Sequence, residues 1–365
     1  MNAVKPLAWP EYGQSAIATP TYGVIETHGE TTPHPTASTA KVITMLAVLE
    51  KKPLQRGESG PILTMKQADV ESHAWYVAHN GSNTPVYTGL QLTQYQAIQA
   101  VLLASSNNMA DTLALWAFGS LDAYHAYANA MVRGWGLKNT TIGGDASGLS
   151  PLTTSTASDL ARIALRVLDQ PVLAEIVSQA EADVPGAGVI YNTNRLLKQG
   201  NIVGLKTGET VEAGGNFILA GTQGHGTQSQ QVVVVVMGAP LASVAIDDSF
   251  ELFQSSLGNF EYRVVLAEGA SVARIVLPWQ DEAADIIAAQ SVRGWMWANR
   301  PPTVSYVSPD VIEADRTGVA PHIAGPVRVT FGDENTGTTR SVPSRVETPV
   351  SPPPFWWRAW RAATP

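Results

Sequence analysis

The sequence predicts an α/β chain of the α+β kind: an antiparallel sheet flanked by helices, an all-helical subdomain on one side, and a small β-rich C-terminal domain. Three observations carry this. A strand-like segment runs directly into an apolar helix near the start; helical periodicity then dominates from about residue 65 to 135; and after residue 200 the texture turns to strands bounded by glycine. With 365 residues there is room for two or three domains, and the expected boundaries are 1–258, 259–345 and 346–365.

The elements follow in order. "TYGVIETHGE" alternates as a strand does and leads into "PTASTAKVITMLAVLE", residues 35–50. On a helical wheel Val42, Met45, Leu46, Val48 and Leu49 share one side, while Glu50 and Lys51 fall on the other. "LTQYQAIQAVLLA", "NMADTLALWAF" and "LDAYHAYANAMVRGWG" read as the helical subdomain, followed by the loop "TTIGGDASGLSPLTTST" and the helix "ASDLARIALRVL". "IVGLKTGET", "GNFILAGTQ" and "QQVVVVVMGA", joined by short turns such as "GTQGHGTQSQ", predict an antiparallel meander closed by the helix "SVAIDDSFELFQSSL". Short strand-like runs, "YRVVLAEG", "ARIVLPW" and "GPVRVTFG", build the β-rich domain, and "VETPVSPPPFWWRAWRAATP" is a proline-rich linker with an aromatic, basic tail.

Composition removes several function classes. The 23 basic and 31 acidic residues leave a net charge of −8 without any basic run, which argues against nucleic acid as a partner. The absence of cysteine excludes disulfides, thiol catalysis and cysteine-ligated zinc. The seven histidines show no metal-ligand spacing, so neither a metal nor a cofactor is expected. The opening "MNAVKPLAWPEYGQ" lacks the pattern of a secretory signal, and the longest apolar run, "VVVVVMGA", is far shorter than a bilayer span.

Lys41 is out of place. It lies about 60° from Ser38 on the wheel, close to the apolar arc and away from the charged side of its own helix. A serine capping a helix and a lysine reaching past it to water would be the ordinary explanation. Two further motifs argue otherwise. Lys206-Thr207-Gly208 is the sole KTG of the chain and sits on a predicted strand; upstream, "LLASSNNMADTLALW" opens a helix with a Ser-x-Asn triplet in two registers, Ser105/Asn107 or Ser106/Asn108.

Taken in this order, Ser-x-x-Lys, Ser-x-Asn and Lys-Thr-Gly resemble the motif set of the serine-type D-Ala-D-Ala carboxypeptidases, the low-molecular-mass penicillin-binding proteins of the penicilloyl serine transferase superfamily. The resemblance runs from about residue 8 to 257, through "PTASTAKVITMLAVLE", "LLASSNNMADTLA", "DASGLSP" and "GLKTGETVEAGGNFILAG". It implies a β-lactamase/transpeptidase-like fold. The family's Leu-Ala eight and nine residues after the serine matches Leu113-Ala114 when that serine is Ser105. Tyr127-Ala128-Asn129 imitates the Tyr-x-Asn of related enzymes but reads as helix packing. The implied substrates are peptidoglycan stem peptides ending in D-Ala-D-Ala, with β-lactam antibiotics as acylating inhibitors.

The resemblance also implies roles. Ser38 is the nucleophile, Lys41 its base, and Ser105 the relay to the leaving nitrogen. Asn107 would bind the substrate amide; Lys206, Thr207 and Gly208 would line the carboxylate end; and the backbone N–H groups of Ser38 and Glu209 would hold the oxyanion. A lysine base must be neutral, which from an ordinary value near 10.4 means lowering its pKa by about three pH units, roughly 4 kcal/mol. Desolvation and the nearby ammonium of Lys206 would both act in that direction.

Two departures stand out. Glu209 places a carboxylate where the substrate's own should arrive, and no Lys or Arg lies between Lys206 and Arg263. The rival readings are a β-lactamase and a non-catalytic penicillin-sensing or wall-binding protein. Against the first, the sole Glu-x-x-x-Asn, Glu212 to Asn216, follows KTG rather than preceding it. Against the second, the motif trio is complete. The expected location is extracytoplasmic, facing the cell wall or associated with the membrane, with the export segment outside this chain. Phe355, Trp356, Trp357 and Trp360 beside Arg358 and Arg361 suit a weak contact at a membrane–water interface, or else packing onto the β-rich domain.

Overall fold

The computed structural model describes residues 3–363 apart from 198, 225, 280–282, 309–313, 316–317, 320–324, 333–336 and 349–350. The chain forms two compact units, one of residues 6–20 and 24–257, the other of residues 1–5, 21–23 and 258–365.

The larger unit is built on five strands, β1 (Gln14–Thr19), β2 (Gly23–Gly29), β3 (Ile202–Thr210), β4 (Gly214–Gln223) and β5 (Gln230–Ala239), in the spatial order β2-β1-β5-β4-β3. The predicted meander is β3-β4-β5, antiparallel throughout, with Ile218 opposite both Lys206 and Val235. β1, which the sequence reading did not single out, pairs antiparallel with β5 and is buried along its whole length. The valine run of β5 has no alternation because both faces of the sheet are covered. Val233, Val235 and Met237 join Ile218 and Ala220 in the helical core. The residues between them turn to the opposite face, where α8 (Ala242–Leu257) packs on β4 and β5. There Gly221 makes room for Phe253: a Cβ on Gly221 would lie 2.4 Å from the ring.

The helical side comprises α1 (Lys41–Lys51), α2 (Gln67–Ala78), α3 (Gln94–Leu102), α4 (Asn107–Phe118), α5 (Leu121–Gly134), α6 (Ala157–Asp169) and α7 (Pro171–Val177). Their ends follow local chemistry. Thr93 and Gln96 form a reciprocal cap at the start of α3, Ser106 and Thr156 cap α4 and α6, and Gly119 ends α4 with φ 86°. One expectation needs correction. The wheel gave α1 an apolar side and a solvent side, yet every residue from Lys41 to Leu49 is buried, Ile43, Thr44 and Ala47 included. α1 is the central helix, packed on α3, α4, α5 and α6, so only its last two residues reach the surface.

The second unit is β-rich. Its strands include Phe260–Leu266, Ser271–Ile275, Ala284–Ala288, Val292–Trp297, Thr303–Tyr306, Val327–Phe331, Thr338–Val342 and Ser344–Val346, all in antiparallel pairs. Trp297 is fully buried, with Phe260 edge-on at 4.8 Å, and Gly294 leaves space for Phe331. The tail forms α9 (Phe355–Ala363). Trp357 packs edge-on against Trp279 at 4.9 Å, whose indole N–H donates to Ser351 O at 2.9 Å, whereas Phe355, Trp356 and Trp360 are exposed. The side chain of Arg361 and the last two residues of the predicted tail lie outside the described residues.

Asn216 on β4 fixes the strand that enters the Ser38 turn. Fully buried, it donates from Nδ2 to Pro35 O at 3.1 Å and accepts the Gly238 N–H at 2.9 Å. Asn216→Ala leaves both backbone groups unpaired and is expected to destabilise the unit by about 3 kcal/mol, a fall in Tm of roughly 6–12 °C. Thermal melting checks it, and an unchanged Tm would show that Pro35 is held by other means.

Candidate active site

Ser38 lies in a single 3₁₀ turn, Ala37–Ala40, immediately before α1. Ala37 enters the turn with φ 47°, a left-handed conformation that is uncommon for a residue with a Cβ. Two glycines let neighbouring chain approach the turn. A Cβ on Gly208 would sit 2.9 Å from the backbone nitrogens of Ser38 and Thr39, and one on Gly148 would sit 2.1 Å from Ala37 O. The KTG strand and the "DASGLSP" loop therefore press on the serine turn from two directions.

Lys41 is wholly buried, and its Nζ meets three oxygens: Ser38 Oγ at 2.7 Å, Asn107 Oδ1 at 2.6 Å and Ser147 O at 3.0 Å. Two of these can only accept, while the third belongs to a hydroxyl that can also donate. The set thus suits both protonation states. A neutral amine gives its two N–H bonds to the carbonyl oxygens and turns its lone pair to the Ser38 hydroxyl. Burial pushes Lys41 down to about 7, against the charges of Asp145 and then Asp111, which favour the ammonium.

Lys206 is buried as well, and donates to Ser105 Oγ and to Thr207 O, each at 3.0 Å. Its pKa lies well below the ordinary lysine value, through burial first and the charge of Lys41 second. The sequence reading expected Lys206 to push on Lys41. The repulsion between the two amines is mutual, and on Lys41 it is opposed by the charges of Asp145 and Asp111.

The two Ser-x-Asn registers have different surroundings. Ser105 is held at φ 60° with its hydroxyl on Lys206, and Asn107 meets Lys41. Ser106 caps α4, accepting the Met109 N–H and donating to Asn108 Oδ1, while Asn108 holds both backbone groups of Thr84 at 3.0 Å. Thr207 Oγ1 lies 2.7 Å from Thr193 Oγ1. Glu209 does not face the lysines: its carboxylate accepts the Ala242 N–H at 2.5 Å, at the start of α8. Tyr127 packs with Phe118, as its place inside a helix suggested.

Sequence reasoning missed four participants. The Ser147 carbonyl carries no side-chain signal, although the Asp145-x-Ser-Gly turn that presents it does. Asp145 Oδ1 gathers the N–H groups of Ser147 and Gly148, both at 2.6 Å, and its Oδ2 takes that of Ser150. Asp111, four residues after Asn107 and so on the same face of α4, was readable as a charge on an apolar helix. Tyr76, which bonds it, was not.

Two buried lysines, each on a serine hydroxyl, with the KTG strand against the Ser38 turn, agree with what comparison with known proteins finds. Residues 14–241 match the family model described as D-alanyl-D-alanine carboxypeptidase. The chain belongs to this D-alanyl-D-alanine carboxypeptidase family. Within it, the chain is 34% identical over 157 residues to the D-alanyl-D-alanine carboxypeptidase DacA of Escherichia coli K12, covering 41% of this chain and 37% of that one. It is 30% identical over 210 residues to the D-alanyl-D-alanine carboxypeptidase DacB2 of Mycobacterium tuberculosis, covering 56% and 66%. The chain thus spans little more than a third of the first relative and about two thirds of the second. Among solved structures, penicillin binding protein 5 of Haemophilus influenzae superposes with a TM-score of 0.66 at 21% identity, over 93% of this chain and 97% of that one. The D-alanyl-D-alanine carboxypeptidase of M. tuberculosis H37Rv gives 0.60 at 26% identity, over 70% and 94%. The fold is that of the penicillin-binding proteins.

The two registers can be separated by stability. Ser106→Ala removes a buried helix cap and is expected to cost about 1–2 kcal/mol. Ser105→Gly relieves a left-handed serine but takes from buried Lys206 one of its two oxygens, and the two effects are expected to leave stability within about 1 kcal/mol of the wild type. Denaturant unfolding of both variants measures this; equal losses would contradict the two environments described.

Proposed function

We propose that this chain is a serine D-Ala-D-Ala carboxypeptidase that removes the terminal D-alanine from peptidoglycan stem peptides and is acylated by β-lactams. The observation that carries the reading is the wholly buried Lys41 amine, 2.7 Å from Ser38 Oγ, whose burial lowers its pKa to about 7.

Ser38 Oγ attacks the carbonyl carbon of the penultimate D-alanine as its proton passes to Lys41. The resulting oxyanion lies between the N–H groups of Ser38 and Glu209, a placement supported by the close approach of Gly208 to the serine turn. As the intermediate collapses, the C–N bond breaks and the leaving D-alanine nitrogen receives a proton through Ser105, whose hydroxyl already bonds Lys206. Water then hydrolyses the ester and releases Ser38. Asn107 is assigned to the substrate amide and, through its carbonyl oxygen, to the orientation of Lys41. Lys206, Thr207 and Gly208 take the terminal carboxylate. Its arrival beside Lys206 would restore the proton that burial disfavours, so that substrate binding charges its own anchor. A penicillin follows the same first step, but its leaving nitrogen stays tethered to the acyl group. The β-lactamase alternative is less favoured because no glutamate precedes KTG at the spacing that fast deacylation would use.

Intact-mass measurement after exposure to penicillin is expected to show a lasting single adduct on the peptide containing Ser38. The acylation rate should rise with pH through about 7, the region where Lys41 loses its proton, and fall below it. An unchanged mass, a label on another peptide, or near-normal rates in Lys41→Ala would sink the assignment.

The reading places the protein outside the cytoplasm, at the cell wall. Among the described residues no helix is long and apolar enough to cross a membrane. The exposed Phe355, Trp356 and Trp360 of α9, beside Arg358, favour a weak surface contact with anionic lipid. Removing residues 355–365 is expected to lower binding to anionic vesicles while leaving Tm within about 2 °C of the full chain. A large loss of Tm with unchanged binding would make α9 part of the β-rich core.

A further inference from the structure

Behind Lys41, on the side away from Lys206, a chain of hydrogen bonds runs through three elements and has no part in the steps above. Tyr76 of α2, buried, donates to Asp111 Oδ2 at 2.6 Å, and Asp111 Oδ1 accepts the Ala146 N–H at 2.9 Å. The carbonyl of the same Ala146 accepts from Thr44 Oγ1 at 2.7 Å, one helical turn beyond Lys41 on α1. Ala146 is therefore clamped by α4 on its N–H and by α1 on its C=O. The next carbonyl along the chain, that of Ser147, is the one that receives Lys41 Nζ.

We propose that Asp111 is a positioning residue for the acylation step: it pins the Asp145–Ser150 loop so that Ser147 O holds the Lys41 amine on Ser38, and its charge opposes deprotonation of that amine. This rests on the reading of Lys41 as the base. Asp111 touches neither Ser38 nor the space in front of it, and acts only through the loop and the field.

The groups around Asp111 decide the sign. α2 presents Tyr76, and also Asp69, which accepts from Thr112 at 2.7 Å. α1 presents Lys41, α5 presents the Tyr124 hydroxyl bonded to Thr44, and the loop presents Asp145. Lys41 is the sole cation of this set. Desolvation pushes the Asp111 carboxyl up to about 6, against the bonds from Tyr76 and Ala146. Above that pH the carboxylate is charged and favours the ammonium of Lys41; removing its charge makes Lys41 give up its proton at lower pH.

Asp111→Asn separates charge from shape, because the amide can still accept from Ala146 and meet Tyr76. The midpoint of the acid limb of penicillin acylation is expected to move down by about one pH unit, with the plateau kept within about threefold. Asp111→Ala opens the clamp and is expected to lower the plateau by tenfold or more. Tyr76→Phe, which lets Asp111 take up a proton more readily, should move the midpoint the same way by a smaller amount and decides the matter if the Asp111 variants do not fold. An unchanged midpoint in Asp111→Asn, or a wild-type plateau in Asp111→Ala, overturns the proposal. A wild type that penicillin does not acylate would instead overturn the functional reading itself.

Discussion

Keeping two amines out of water within one site is the constraint around which the larger unit is arranged. An ammonium in an apolar interior is several kcal/mol less stable than in water, and two together also repel. Here the number and type of oxygens offset this. Lys41 meets two carbonyl oxygens and a hydroxyl, and Lys206 meets a carbonyl and a hydroxyl, so either amine can be neutral without orphaning a donor. Among the described residues no carboxylate bonds either one directly. Asp111 and Asp145 stand one residue further back, close enough to oppose deprotonation of Lys41 but not to lock it as an ion pair.

The oxygens come from four separate parts of the chain, which explains the architecture. The sheet supplies Lys206 from β3 at its edge, α1 and the 3₁₀ turn before it supply Lys41 and Ser38, and the start of α4 with the residue pair before it supplies Asn107 and Ser105. The loop after α5 adds the Ser147 carbonyl. Bringing four segments within a hydrogen bond of two amines leaves little room for side chains where backbones meet. Gly208 and Gly148 sit at those crossings, and Asn216 ties the carbonyl of Pro35, just before the Ser38 turn, to the sheet.

Much of this was legible in the sequence, and the remainder was hidden for identifiable reasons. Lys41 betrayed itself by sitting near the apolar arc of its helix, and KTG by its rarity. The meander showed as Gly-bounded strands. β1 was passed over because "QSAIAT" is short and too mixed to alternate, and its burial comes from pairing with β5, a partner more than 200 residues away. The full burial of α1 was missed because a wheel reports the contrast between faces and not what packs on each. Ser147 contributes only a backbone atom, which no side-chain pattern can reveal. The turn of Glu209 toward Ala242 depends on where α8 begins in space, so sequence distance from KTG was no guide to it.

The burial of α1 on every side bears on how the site can fail. Amides that exchange by local fraying lie near surfaces and loose ends, whereas a helix enclosed by four others and backed by a sheet opens only with the unit as a whole. Lys41 opens that helix, and Ser38 lies in the 3₁₀ turn just before it. The Ser38 and Lys41 pair is thus rooted in a segment expected to open late, while the loop that carries Ser147 can still shift and alter how the amine is held. Separating the Ser38 hydroxyl from the Lys41 backbone therefore requires the unit to open.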